Sequence, residues 1–218
     1  MLNQYQLLIA ANTPLLKLAE LTEKQRRELK IDFVLSDSTE LLNQSLEGTE
    51  RIARIVADLK SFSHVDETGQ ADADLNEELE KTVSVVSPNT EGMAVFTFDL
   101  QPLPLYACHP GLISQAFLAV IQNAIQSREI GLLIRISSQV EDGQIIIRIA
   151  DNGCGMSPVT MSRAFDPFFT TREVGSGTGM GLTVAREIFS DAGGTIELDS
   201  TEGAGTTVLL RLPLRNAQ

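Results

Sequence analysis

The chain has 218 residues, 43% hydrophobic and 21% charged, a globular composition that excludes a disordered segment. Its 17 Lys and Arg against 29 Asp and Glu leave a formal charge of −12, with the acidic excess concentrated after residue 66. That balance excludes a nucleic-acid surface, which needs clustered cations to replace counterions. Cys108 and Cys154 are too few for a disulfide framework, no apolar stretch is long enough to span a bilayer, and no signal-peptide pattern is present, so the expectation is a cytoplasmic protein.

The first third reads as helix. Leu2, Tyr5, Leu8 and Ile9 form a short apolar face that Asn12-Thr13-Pro14 interrupts, with Thr13 as cap and Pro14 opening a second helix that carries Leu15, Leu18 and Leu21. From Ser38 to Ser63 the apolar positions Leu42, Leu46, Ile52, Val56, Leu59 and Phe62 recur at helical spacing, with Ser38 as the expected cap. A helix of this length cannot bury one apolar stripe alone, so its partner is a neighbouring helix of this chain or of a second copy. Residues 67–75 carry no apolar period and read as a linker between a helical region, 1–66, and a mixed α/β region, 76–218.

The spacing beyond the linker predicts a helix over Asn76–Val86, a strand over Met93–Leu100 and a helix over Gly111–Ser127. Strands Leu132–Val140 and Gln144–Ala150 follow, joined by the turn Glu141-Asp142-Gly143. A helix over Met180–Ala192 stops at Gly193-Gly194, and a hairpin of Thr195–Asp199 and Thr206–Leu212 closes the region.

Three segments carry chemistry. Asn123 sits in a helix interior, where its side chain is unfavourable without a reason: it either caps a neighbouring backbone group or offers a neutral oxygen to Mg²⁺. Asp151-Asn152-Gly153-Cys154-Gly155-Met156 follows an apolar strand. It is either a plain strand-ending turn or a place where glycines let a planar ligand approach while Asp151 accepts a hydrogen bond from an exocyclic amine. Phe165-Asp166-Pro167-Phe168-Phe169-Thr170-Thr171-Arg172 leads into Gly175-Ser176-Gly177-Thr178-Gly179-Met180-Gly181-Leu182, whose alternate glycines run into a helix. That pattern suits a mobile loop whose amides wrap a polyphosphate at a helix N-terminus. Phe168 and Phe169 pack the base of this loop or fill the core, and Arg128, Arg163 and Arg172 are the nearest cations.

Together these segments resemble the ATP-binding domain shared by sensor histidine kinases, gyrase-type ATPases, Hsp90-type chaperones and MutL-type repair proteins, and FDPFFTTREVGSGTGMGL is similar to the histidine-kinase branch. Residues 50–63 likewise resemble the second helix of that family's dimerisation and phosphotransfer hairpin. The resemblance implies an α+β chain: an N-terminal antiparallel helical hairpin, a four-helix bundle as a homodimer through residues 38–63, then an α/β sandwich. It implies binding of Mg·ATP, with Asp151 on the adenine amine, Asn123 on Mg²⁺, Thr207 holding adenine through water, and Gly177, Gly179 and Gly181 at the phosphates. Gly153, Gly155, Phe165, Gly175, Thr178 and Leu182 complete the implied ATP site. Phosphoryl transfer to a histidine, then to a response-regulator aspartate, is the implied reaction.

Two departures qualify this expectation. Ala119 stands one turn before Asn123, where the family carries a polar residue and hydrolytic relatives a general-base Glu, which argues against self-contained hydrolysis. No acceptor-histidine box is present: His64 and His109 lie elsewhere and read as ordinary turn histidines. The acceptor is expected upstream of residue 1, or replaced at Ile9. A nucleotide-binding dimeric pseudokinase and an anti-sigma-type serine kinase are the alternatives.

Overall fold

A computed structural model describes residues 15–62, 69–90, 92–128, 130–172 and 177–214. The chain divides into two units, residues 1–52 and 53–218. Helix α1 (Leu15–Glu28) lies in the first, and helix α2 (Ile31–Phe62) begins in the first and ends in the second; the two helices are separated at Leu29-Lys30. Lys30 has φ +49, the left-handed conformation that terminates a helix, and Arg26 Nε donates to Asp32 across the break at 2.9 Å. Helix α2 therefore begins at Ile31 and not at the expected cap Ser38. The polar residues around Ser38 sit in the helix interior, where Thr39 returns its hydroxyl to the Leu35 carbonyl at 2.8 Å. The described part of the apolar stripe faces solvent, with Leu42 70%, Leu46 60% and Ile52 64% exposed. No described side chain of α1 or α2 is buried, so no packed hairpin is seen among the described residues. The Thr13-Pro14 cap, the Leu2–Ile9 face and His64 lie outside them.

The second unit starts earlier than the spacing predicts. Strand β1 (Ala71–Ala73) lies inside the stretch read as linker and pairs antiparallel with β3 (Tyr106–Cys108). Asp74 then caps helix α3 (Leu75–Val86), its carboxylate accepting from the amides of Asn76 at 2.9 Å and Glu77 at 3.3 Å. After a 3₁₀ turn come β2 (Ala94–Leu100), β3, helix α4 (Pro110–Ile125), β4 (Leu132–Glu141) and β5 (Gln144–Asp151). A short helix α5 (Pro158–Arg163), which no periodicity announces, precedes α6 (Gly181–Asp191), β6 (Thr195–Thr201) and β7 (Gly205–Pro213). His109 is the residue before α4 and makes no side-chain cap bond.

Five strands form one sheet in the order β2-β4-β5-β7-β6, with β2 parallel to β4 and the other pairs antiparallel. The β4–β5 turn places Asp142 and Gly143 at φ +51 and +74, the two positive dihedrals a tight hairpin needs. Helix α6 ends as expected, with Gly193 at φ +81 and the Gly194 amide bonded to the Phe189 carbonyl at 2.7 Å. One face of the sheet is covered by α3, α4 and α6. Ile134, Ile136, Ile145, Ile147, Ile149, Val208, Leu210 and Leu212 alternate inward along β4, β5 and β7 to meet Leu79, Phe117, Ile121 and Phe189 of the helices. The rings of Phe117 and Phe189 lie 6.1 Å apart and tilted, locking α4 to α6. No helix among the described residues is long and apolar enough to cross a membrane.

Candidate nucleotide site

Helix α4, the Asp151 turn, the Phe169–Arg172 segment and the start of α6 enclose a cavity of about 500 Å³. Asn123, Asp151, Gly155, Gly177, Thr178, Gly179, Gly181 and Leu182 all line it, so most of the residues singled out in three distant segments share one cavity. Gly153, Phe165 and Thr207 do not line it, and Gly175 lies outside the described residues.

Asp151 ends β5 with its carboxylate held from three elements. Ser127 donates its hydroxyl to Oδ1 at 3.2 Å, the Gly153 amide donates to the same oxygen at 2.8 Å, and the Thr206 amide donates from β7. Burial pushes the Asp151 carboxyl above the ordinary carboxylate pKa, and the three donors oppose that shift. Thr207, expected on the adenine side, pairs instead with Ala150; Thr206 pairs with Asp151 and lines the cavity. Successive strand residues face opposite sides, so a shift of one position changes which threonine meets a ligand.

The two glycines after Asp151 have different roles. A Cβ on Gly153 would stand 1.8 Å from Ser127 Oγ, so this glycine makes room for the Ser127–Asp151 bond. Gly155 lines the cavity at φ +63, and a Cβ there would meet the Thr201 carbonyl oxygen at 2.0 Å. Cys154, between them, is exposed at the cavity wall.

Asn123 projects from α4 with its carboxamide oxygen accepting from Arg172 Nη2 at 3.0 Å, while Arg172 Nη1 bonds Gln126 Oε1. Ala119 lines the wall one turn earlier. Among the described residues no three His, Cys, Asp or Glu converge as a metal cluster. At Asn123 the wall offers an ion a neutral carboxamide oxygen, a donor that fits Mg²⁺, which keeps most of its water and takes substrate oxygens. Across the cavity, Gly179 at φ +68 packs on the backbone of Phe168, where a Cβ would stand 2.5 Å from the carbonyl carbon. Gly181 opens α6 beside Ala119, so the positive end of that helix meets the cavity.

The phenylalanines separate. Phe165 anchors the segment to α6, its carbonyl accepting from Thr183 Oγ1 at 3.1 Å and Arg186 Nη2 at 3.2 Å. Phe169 lines the cavity beneath the Arg163 guanidinium, 4.2 Å from its ring centre. Phe168 is 61% exposed, at φ +63, and fills neither the core nor the loop base. Of the three arginines near the motifs, only Arg172 lines the cavity; Arg163 pairs with Asp166 and Arg128 bonds the Asn152 carbonyl. Ser127 and Thr206 are not announced by any motif. The signal for Ser127 is its position one turn beyond Asn123, and for Thr206 it is hairpin register.

A family model described as histidine kinase-, DNA gyrase B- and HSP90-like ATPase matches residues 108–216, the span that contains the whole cavity. The chain belongs to this ATPase family. Among curated relatives, the signal transduction histidine-protein kinase AtoS of Escherichia coli (strain K12) is 33% identical over 80% of this chain and 29% of its own. The chain spans well under half the length of the curated relatives it matches first. Among solved structures, full-length ShkA in complex with AMPPNP has the same fold, with a TM-score of 0.68 and 24% identity over 78% of this chain and 37% of that one. Histidine kinase ThkA in complex with response regulator TrrA gives a TM-score of 0.63 and 20% identity over 77% and 49%. The ATPase domain is thus that of a chain similar to sensor histidine kinases.

Proposed function

We propose that this chain is the cytoplasmic catalytic portion of a sensor histidine kinase, binding Mg·ATP for phosphoryl transfer to a histidine and on to a response-regulator aspartate. The observation that carries the reading is the convergence of Asp151, Asn123 and the Gly177–Gly181 return on one cavity. Asp151 accepts a hydrogen bond from the adenine amine, with Ser127 and Thr206 holding its carboxylate in place. Asn123 holds the ion, and the amides of Gly177, Thr178 and Gly179 meet the phosphates with the N-terminus of α6. When bound, magnesium would neutralise charge on the transferring phosphoryl group.

Asp151 is the only carboxylate among the described lining residues, and its donors tie it down. With Ala119 in the general-base slot, no group stands ready to activate water, which favours transfer over hydrolysis. The exposed stripe of Leu42, Leu46 and Ile52 supports the further reading that the helical region 1–66 forms an antiparallel hairpin and a homodimer through residues 38–63. The ligand and partner in the ShkA and ThkA structures support nucleotide binding and a receiver-domain partner here.

Calorimetric titration with ATP and magnesium tests the nucleotide reading. Asp151→Asn is expected to weaken both ATP and adenosine by roughly tenfold or more, because a carboxylate acceptor becomes an amide. Unchanged affinity for both would remove Asp151 from the adenine site, and no binding by wild type would end the assignment.

A further inference from the structure

Arg172 and Asp151 are the only charged residues among the described residues that line the cavity. Of the other arginines near the motifs, Arg163 pairs with Asp166, while Arg128 and Arg186 donate to the backbone carbonyls of Asn152 and Phe165 and do not line the cavity. Arg172 makes no such ion pair among the described residues, and both of its side-chain bonds run to neutral amide oxygens, those of Asn123 and Gln126. It is half-buried, and that burial pushes its pKa below the usual arginine value, which means the charge is held where water solvates it poorly.

The position is also held mechanically. The Arg172 amide bonds Thr170 Oγ1 at 3.2 Å, and a Cβ on Gly177 would lie 3.6 Å from Arg172 Cδ, so the returning chain packs against the arginine stem. A planar guanidinium in a cavity, without an anion, has donors whose geometry matches phosphate oxygens. Its hydrogen bond lands on the Asn123 oxygen, the one proposed for the metal ion, and no carboxylate stands at Ala119 to recruit that ion more strongly.

We propose that Arg172 supplies the positive charge at the phosphate end of the cavity, so that the chain captures a nucleoside polyphosphate with no divalent ion bound. The inference rests on the nucleotide reading of the same cavity. It divides the work: magnesium serves transfer of the phosphoryl group, while capture depends on the guanidinium. Entry of the polyphosphate draws Nη1 and Nη2 from the two amide oxygens, leaving the Asn123 oxygen free for the ion.

The test is calorimetric titration with ADP and with adenosine, each in magnesium and in EDTA, on wild type and Arg172→Gln. Wild type is expected to bind ADP in EDTA within about tenfold of its affinity in magnesium. Arg172→Gln is expected to lose at least about tenfold for ADP in EDTA, the loss of charge-assisted bonds to phosphate, with adenosine affinity unchanged. That unchanged value also reports an intact fold. Wild-type binding of ADP in magnesium but not in EDTA overturns the inference and leaves the nucleotide reading standing. Equal ADP affinity of the two proteins in EDTA overturns it as well. Failure of wild type to bind either ligand in either buffer ends both.

Discussion

The Ser127 hydroxyl lies 3.2 Å from Asp151 Oδ1, joining the turn after α4 to the last residue of β5, and the missing side chain of Gly153 is what allows the approach. The same hydroxyl also donates to the Ala124 carbonyl at 2.7 Å, so it is shared between the helix end and the carboxylate. Ser127→Ala removes one of three donors from a partly buried acid. The Asp151 carboxyl is then expected to rise further in pKa, and adenosine affinity at neutral pH to fall a few-fold, read by calorimetry. An unchanged affinity would assign the positioning of Asp151 to Gly153 and Thr206 alone.

Asp151 also sets a pH dependence. Its folded-state pKa is raised above the ordinary value of 3.8, chiefly by burial, so the folded protein holds this proton more tightly than the unfolded chain. Its contribution to stability is present below that ordinary value and is lost as pH rises through the raised one. Asp151→Asn, neutral throughout, is therefore expected to melt no lower than wild type at pH 7, with the difference shrinking as the pH is lowered through that window. Nucleotide affinity of wild type should fall over the same window, because the protonated acid is a poorer acceptor. Thermal melts and titrations between neutral and acid pH check both. A variant clearly less stable than wild type at pH 7 would contradict the burial argument.

Two glycines of the Asp151 turn and its neighbour are sterically required. Gly155 at φ +63 and Gly205 at φ +108 would each place a Cβ 2.0 Å from a carbonyl oxygen, of Thr201 and Asp151 respectively. Gly205→Ala is expected to cost about 2–3 kcal/mol or more in urea unfolding, from strained dihedrals together with a backbone clash. Gly203, at φ +80 in open space, is the control: Gly203→Asn should cost under about 1 kcal/mol, since Asn tolerates this region. Equal losses at the two positions would mean that the dihedral matters and the clash does not.

The Asn123 oxygen that accepts from Arg172 is the one proposed to hold the ion. In Asn123→Ala, whatever affinity magnesium adds to ATP binding in wild type is expected to disappear, so titrations in magnesium and in EDTA converge. A magnesium effect that survives the substitution would place the ion elsewhere.

Much of this fold is periodic in the sequence. The alternation of Ile145, Ile147 and Ile149, the paired turn residues Asp142-Gly143 and the glycine stop at Gly193-Gly194 are local signals, and the corresponding strands, hairpin and helix end lie where they predict. Strands β1 and β3 escape that reading because three residues carry no period and their pairing joins Ala71 to Cys108 across the whole of α3 and β2. The start of α2 escapes it too: the break at Leu29-Lys30 contains neither Gly nor Pro, and a lysine takes the left-handed dihedral.

For the proposed site, residue type and order along the chain singled out Asn123, Asp151 and the Gly177–Gly181 return, each from a short local motif, and the fold brings them to one cavity. Which neighbours complete them was decided by the fold. Thr206 lines the cavity and Thr207 does not, through strand register, Gly153 leaves room for Ser127, and Arg172 reaches Asn123 through contacts between segments distant in the chain. Local spacing specifies helix faces and turn dihedrals. The side of a strand end, the volume beside a glycine and the partner of an arginine depend on what is packed opposite, and only the assembled tertiary structure provides that.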